Sequence, residues 1–131
     1  MTDTVDTITI FSGTRRIVKR LTNVSDSTGE SAVVKFDKSA YTNGNGVEPT
    51  KFIIEWVQWN IQGFSSVRLL WDHTTDDEAL VLSGNGYKDF REVGGLVDPA
   101  SSGQTGDLLL TTAGAVSGAT YDIVISVLQS N

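Results

Sequence analysis

Clusters of turn-forming residues cut this chain into short pieces, and that punctuation limits what it can fold into. Ser25-Asp26-Ser27-Thr28-Gly29, Asn43-Gly44-Asn45-Gly46, Ser83-Gly84-Asn85-Gly86 and Ser101-Ser102-Gly103-Gln104-Thr105-Gly106 are the separators. Gly tolerates positive φ, while Asn, Asp and Ser side chains bond to their own backbone, so such clusters end regular structure. Between them lie runs rich in β-branched and aromatic residues, and no segment of useful length follows the helical period. Roughly eight or nine short strands at this spacing predict an all-β domain, an antiparallel β-sandwich or a jelly-roll-like barrel.

Tyr121–Val127 carries the clearest period-two pattern, with Tyr121, Ile123, Ile125 and Val127 on one face and Asp122, Val124 and Ser126 on the other. Gly106–Thr112 is expected to pair with it as a C-terminal hairpin across a Gly-containing turn. A central hairpin is expected from Lys51–Ile61 and Ser66–Trp71, broken at Gln62-Gly63. Weaker strands are predicted at Thr7–Phe11, Arg15–Leu21, Ser31–Phe36, Ala79–Leu82 and Phe90–Gly94.

Strict alternation along Lys51–Ile61 sends Phe52, Ile54 and Trp56 one way with Gln58 and Asn60. It sends Ile53, Val57, Trp59 and Ile61 the other way with Glu55. Large apolar groups on both faces are costly to leave wet. The strand is therefore either central in the domain or covered by another subunit, which makes Phe52, Ile54 and Trp56 candidate interface residues.

At 131 residues, with about two thirds of the extended-chain surface expected to be buried on folding, the chain reads as a single domain spanning 1–131, with residues 1–13 expected as an extended N-terminal arm. Sixteen acidic against ten basic residues give a net charge of −6, which disfavours contact with nucleic acid. Four of the cations nevertheless cluster at Arg15, Arg16, Lys19 and Arg20. They read either as a solvated strand surface or as a dock for an acidic protein partner.

Cysteine is absent, so disulfides and thiolate–zinc sites are excluded. Met1–Asp6 lacks the basic and apolar regions of a secretory signal, and no apolar run reaches membrane-spanning length. Asn23-Val24-Ser25 matches the glycosylation pattern, incidental without export.

Sites for chemistry are sparse. The acidic run Asp72–Glu78 lacks the spacing and central Gly of a calcium loop, and reads as a surface turn. His73, the single histidine, has no Ser or Cys nucleophile in a suitable context. Gly84-Asn85-Gly86 lacks the further glycine and the Lys-Ser/Thr of a phosphate loop. Gly94-Gly95-Leu96-Val97-Asp98-Pro99 reads as a bend. Trp56, Trp59, Trp71, Tyr87 and Phe90 would suit a sugar-stacking platform, but Trp56 and Trp59 project to opposite faces. No catalytic residue, cofactor or metal is expected, and the chain reads as a non-enzyme.

Three stretches carry a resemblance in overall texture: Arg15–Ser25, Arg68-Leu69-Leu70-Trp71-Asp72-His73, and Gly94–Pro99 with Thr105–Thr112. In these the chain resembles small virion structural proteins of tailed bacteriophages, of the capsid cement or decoration type. The resemblance implies a sandwich or jelly roll that assembles as a homotrimer and binds the major capsid protein on the outer capsid surface, after synthesis in the host cytoplasm. It implies stabilisation of the shell by added contacts across coat subunits, with no membrane and no direct nucleic-acid partner. A tail or head–tail connector protein, or a carbohydrate- or receptor-binding module, are the alternatives.

Overall fold

The computed structural model describes residues 3–13, 15–41, 51–73, 77–97 and 104–130. Nine strands fall into two antiparallel sheets: β1 (Thr4–Ser12), β2 (Arg16–Asp26), β3 (Val33–Phe36), β4 (Lys51–Gln62), β5 (Ser66–His73), β6 (Asp77–Leu82), β7 (Asn85–Asp89), β8 (Gln104–Ala113) and β9 (Ser117–Ser130). One sheet has the order β1-β2-β9-β4-β7 and the other β3-β8-β5-β6. The architecture is a β-sandwich, as the strand spacing predicts.

The core lies between the sheets. β9 contributes Tyr121, Ile123, Ile125 and Val127, the face its alternation marks as apolar. Ile17 and Leu21 of β2, Val67, Leu69 and Trp71 of β5, Leu80 and Leu82 of β6, and Leu108 and Leu110 of β8 pack with them.

Alternation fails in β4, and this decides which residues enter the core. Ile54 pairs with Val127 and Trp56 with Ser126, so Glu55 is an extra residue in the ladder, a β-bulge. The bulge shifts the phase by one residue. Phe52 and Ile54 therefore join Val57 and Ile61 inside, all almost fully buried, while Trp56 turns outward with Gln58 and Asn60. The conflict of two apolar faces in the sequence disappears. Phe52 and Ile54 are core residues enclosed by their own chain, not interface residues. Phe52 packs its ring on Phe36 and Tyr41, at centroid distances of 5.5 and 5.8 Å.

Both expected hairpins are corrected as well. β8 pairs with β3 and β5, and β9 with β2 and β4, so the two strands sit in opposite sheets. β4 and β5 are divided in the same way. The connections are arches over the sandwich ends, and their apolar residues show why. Phe64 is buried between the sheets with its ring 5.9 Å from that of Tyr121, where a hairpin turn would leave it in water. Gly63 makes the turn at φ +86°, with its Cα side against Ala119. The true hairpins are β1–β2 and β5–β6.

Asn85-Gly86, expected as part of a turn, begins β7. The expected strand Phe90–Gly94 is instead a 3-10 turn over Arg91–Val93, closed by Gly94 at φ +83°. Asp98 and Pro99 lie outside the described residues.

The assignment of β4 gives a direct test. Phe52→Ala and Ile54→Ala should each cost about 2–5 kcal/mol, the range for truncating a buried large side chain. The measurement is the urea midpoint at constant slope. A loss of only a few tenths of a kcal/mol would place either side chain on the surface.

Candidate functional site

The outer face of the five-stranded sheet gathers most of the notable side chains. Register places Arg20 across from Val124, Thr22 from Asp122 and Val18 from Ser126. The next strand adds Trp56, Gln58 and Asn60, and β7 adds Tyr87 across from Gln58 and Asp89 across from Trp56. The rings of Trp56 and Tyr87 lie 6.2 Å apart at 33°.

Three arginine–carboxylate pairs frame those rings. Arg16 donates to both oxygens of Glu55, at 2.6 and 3.1 Å, and the Ser126 hydroxyl donates to Glu55 Oε1 at 2.9 Å. Arg20 donates to Asp122 at 3.0 and 2.7 Å. Arg91 donates to Asp89 through its side chain, at 2.6 Å for the shortest contact, and through its backbone N–H at 2.9 Å. The guanidinium of Arg91 and that N–H hold the Asp89 carboxyl down at about 2. The hydrogen bond from Arg16 likewise keeps Glu55 below its ordinary value, against the opposing effect of burial.

Between these pairs the face is shallowly indented. One depression of about 200 Å³ is lined by Arg20, Gln58, Trp59, Asn60, Asp122 and Val124. Another of about 290 Å³ is lined by Arg15, Glu55, Arg91, Gly94, Gly95 and Leu128. Neither is a deep enclosure of the kind that excludes water around a reacting group.

The basic run does not form one patch. The period of the strand sends Arg16 and Arg20 outward and Lys19 inward. The Lys19 ammonium donates to the Lys35 carbonyl at 3.0 Å and lies 4.7 Å from the ring centre of Phe36 and 5.3 Å from that of Tyr41. Burial lowers its pKa. Lys19 is thus corrected from an interface residue to a core one, its charge held by a carbonyl and two π faces. Arg15 is exposed before β2, and its guanidinium has no partner among the described residues. Of the expected interface residues, Trp56, Arg16 and Arg20 share the outer face, with Arg15 at its margin.

A buried polar cluster at one end of the sandwich was not anticipated. Lys35 and Glu30 form an ion pair at 2.7 Å with both side chains almost wholly enclosed. The Tyr121 hydroxyl also donates to Glu30. Asn23 donates to Glu30 at 2.7 Å and to Asp3 at 3.0 Å. Asp3 further accepts from the Ser25 hydroxyl and from the N–H groups of Asp26 and Gly29. Burial pushes the Asp3 carboxyl up, but these donors together outweigh it and hold it below its usual range. Burial foremost, then the bond to Glu30, keeps the Tyr121 hydroxyl protonated far above neutrality. The cluster ties the start of β1 to β2 and closes the sandwich end. The glycosylation-like Asn23-Val24-Ser25 belongs to it, with Asn23 and Ser25 buried. Its only sequence signal is polar residues at inward positions of an otherwise alternating strand.

The centre of the acidic run, residues 74–76, and the His73 side chain lie outside the described residues. Glu78, at the end of that run, pairs with Arg68 at 2.7 Å. Among the described residues no group of three or more His, Cys, Asp or Glu is placed to hold a metal ion. No protein-family model matches the chain, and no curated protein and no solved structure matches it.

Glu55 generates a pH prediction. Its pKa is depressed in the fold, so its contribution is complete above the unfolded-state value and is lost as pH falls through the folded one. Urea stability measured from pH 7 to about 2 should therefore fall less steeply for Glu55→Gln than for the parent chain. Parallel curves would show that the bulge carboxylate contributes nothing to acid sensitivity.

Proposed function

We propose that this chain is a non-enzymatic virion structural protein that decorates and cements the outer surface of a tailed-phage capsid. It would be made in the host cytoplasm and dock on the major capsid protein through the outer face of the five-stranded sheet. The observation that carries this reading is the composition of that face. Trp56 and Tyr87 sit together, bordered by Arg16, Arg20 and Arg91, each already held by a carboxylate. Trp, Tyr and Arg are the residue types that dominate protein–protein binding energy, and guanidinium groups fixed by a partner lose less freedom when a surface docks. The shallow relief suits a broad protein contact better than a small substrate.

The mechanism is mass action. A protein that binds contacts present only in the assembled shell lowers the free energy of assembly without any bond being made or broken. The net charge of −6 keeps the molecule from adhering to the packaged genome or its escaped ends.

The test is co-sedimentation with purified heads and, separately, purified tails of a phage that encodes the chain. Binding to heads is expected, weakened at least tenfold by Tyr87→Ala or Trp56→Ala, since hot-spot truncations cost more than about 1.4 kcal/mol. Binding to tails or necks alone would replace the cement reading with that of a connector or tail component.

Carbohydrate binding is the second reading, favoured by the polar side chains of Arg20, Gln58, Asn60 and Asp122 gathered in one depression beside the aromatic pair. A glycan array read with the parent chain and Tyr87→Ala separates the two. Saccharide-specific binding lost in the variant supports the glycan module, and a blank array removes it.

A further inference from the structure

β1 is unlike every other strand in the molecule. All nine of its residues are exposed, on both faces of the strand. It lies at the edge of the five-stranded sheet, and among the described residues it pairs on one side only, with β2. Among the described residues the second sheet buries none of it. That sheet ends at the four-residue β3, whose Lys35 carbonyl and Phe36 ring meet Lys19 of β2. β1 therefore overhangs the sandwich.

Its sequence, TVDTITIFS, makes that exposure costly. Val5, Ile8, Ile10 and Phe11 are all more than a third exposed. Edge strands are normally blunted by lysine, proline, shortness or inward charge, because an open row of N–H and C=O groups invites another strand. The other edges follow that rule. β3 is four residues long, β6 begins with Asp77-Glu78, and β7 contains Gly86, Lys88 and Asp89. β1 carries only Asp6 as a charge, and neither lysine nor proline.

We propose that β1 is a self-pairing edge. Two copies of this chain join antiparallel along Val5–Thr9 about a two-fold axis at Thr7, so that their five-stranded sheets become one continuous sheet. The segment ends at Thr9 because the ladder, regular from Thr4, is broken by the bulge at Ile10, and the axis then begins it at Val5. The axis is set by charge and by the pleat. Opposed residues must share a face, so the register is centred on a residue. Centring on Asp6 would oppose two carboxylates. Centring on Thr7 places Asp6 across from Ile8, Val5 across from Thr9, and Thr7 across from its own copy, a favourable cross-strand pair.

Charge also argues for a second copy here and not elsewhere. Two chains of net charge −6 repel at long range. They meet most cheaply where charge is sparse, as it is along β1 with its single Asp6, and where β2 places Arg20 opposite Ile8. The contact is small. Five residues of strand span about 17 Å, and an edge of that length covers roughly half of the ~800 Å² per partner usual in stable complexes. The dimer is thus weak and reversible, in the micromolar range or above. The contact needs only the free chain and is independent of shell binding.

The experiment is sedimentation velocity of the isolated chain from low micromolar to several hundred micromolar, with Thr7→Lys and Thr7→Glu variants. Circular dichroism checks that each variant keeps the fold, as an exposed position should. The parent chain should shift from monomer to dimer with concentration. Each variant alone should remain monomeric, and an equimolar mixture of the two should recover the dimer, because lysine then meets glutamate at the axis. A parent chain that stays monomeric throughout overturns the proposal and leaves this edge to an extended segment of another protein. An assembly of odd order such as a trimer, a dimer indifferent to both variants, or a mixture that does not recover overturns it equally. Failure here leaves capsid binding untouched, and failure to bind heads leaves the dimer untouched.

Discussion

The extra residue at Glu55 organises this molecule. β4 is twelve residues long and interior to its sheet, between β9 and the edge strand β7, so its phase determines which side chains on three strands face each other. By inserting one residue, the bulge lets Phe52 and Ile54 fill the core at one end and Val57 and Ile61 fill it at the other. A strand of strict alternation would have to expose one of those sets. The bulged residue is a glutamate, and its carboxylate is received outside the core by Ser126 of the adjacent β9 and by Arg16 of β2 beyond it. The same step that rescues the core thus ties β2, β4 and β9 together on the opposite face.

That outer tie shapes the surface available for function. With Glu55 anchored, Trp56 is turned outward beside Tyr87, and the arginines of β2 and the 3-10 turn border the pair in fixed orientations. Exposed ion pairs of this kind add little to stability. Their value lies in presenting a preorganised polar rim around an aromatic centre, the anatomy expected of a protein contact. The buried Glu30–Lys35 pair plays a different part. Its Glu30 carboxylate accepts from Asn23 of β2 and Tyr121 of β9 at the end of the sandwich, and Asn23 in turn holds Asp3, the point from which the overhanging β1 departs.

The fold class and the inward face of β9 were legible in the sequence because both follow from period and punctuation. Sheet membership was not. Gly106–Thr112 and Tyr121–Val127 are neighbours in the chain, and alternation cannot tell a hairpin from an arch when both strands bury a face. The informative residue at the other connection was Phe64, an apolar side chain in an apparent loop. β7 was hidden because Asn85-Gly86 has turn composition yet pairs with Asn60 and Trp59. The basic run misled for the opposite reason. Charge clustering in sequence is divided between two faces by a strand, and Lys19 has a stem long enough to be buried while its ammonium finds a carbonyl. The outer face could be assembled only once the bulge was known, since Trp56 otherwise travels with Phe52 and Ile54 into the core.

Thiol accessibility along β4 tests that phase shift most directly, because the chain has no native cysteine. Single cysteines at Ile54, Val57 and Gln58 would be challenged with a maleimide under native conditions and again in denaturant. With the bulge at Glu55, Gln58→Cys reacts in the folded protein, while Ile54→Cys and Val57→Cys react only on unfolding. Native labelling of Ile54→Cys at the rate of Gln58→Cys, with Val57→Cys alone protected, is the pattern of unbroken alternation and would contradict the account.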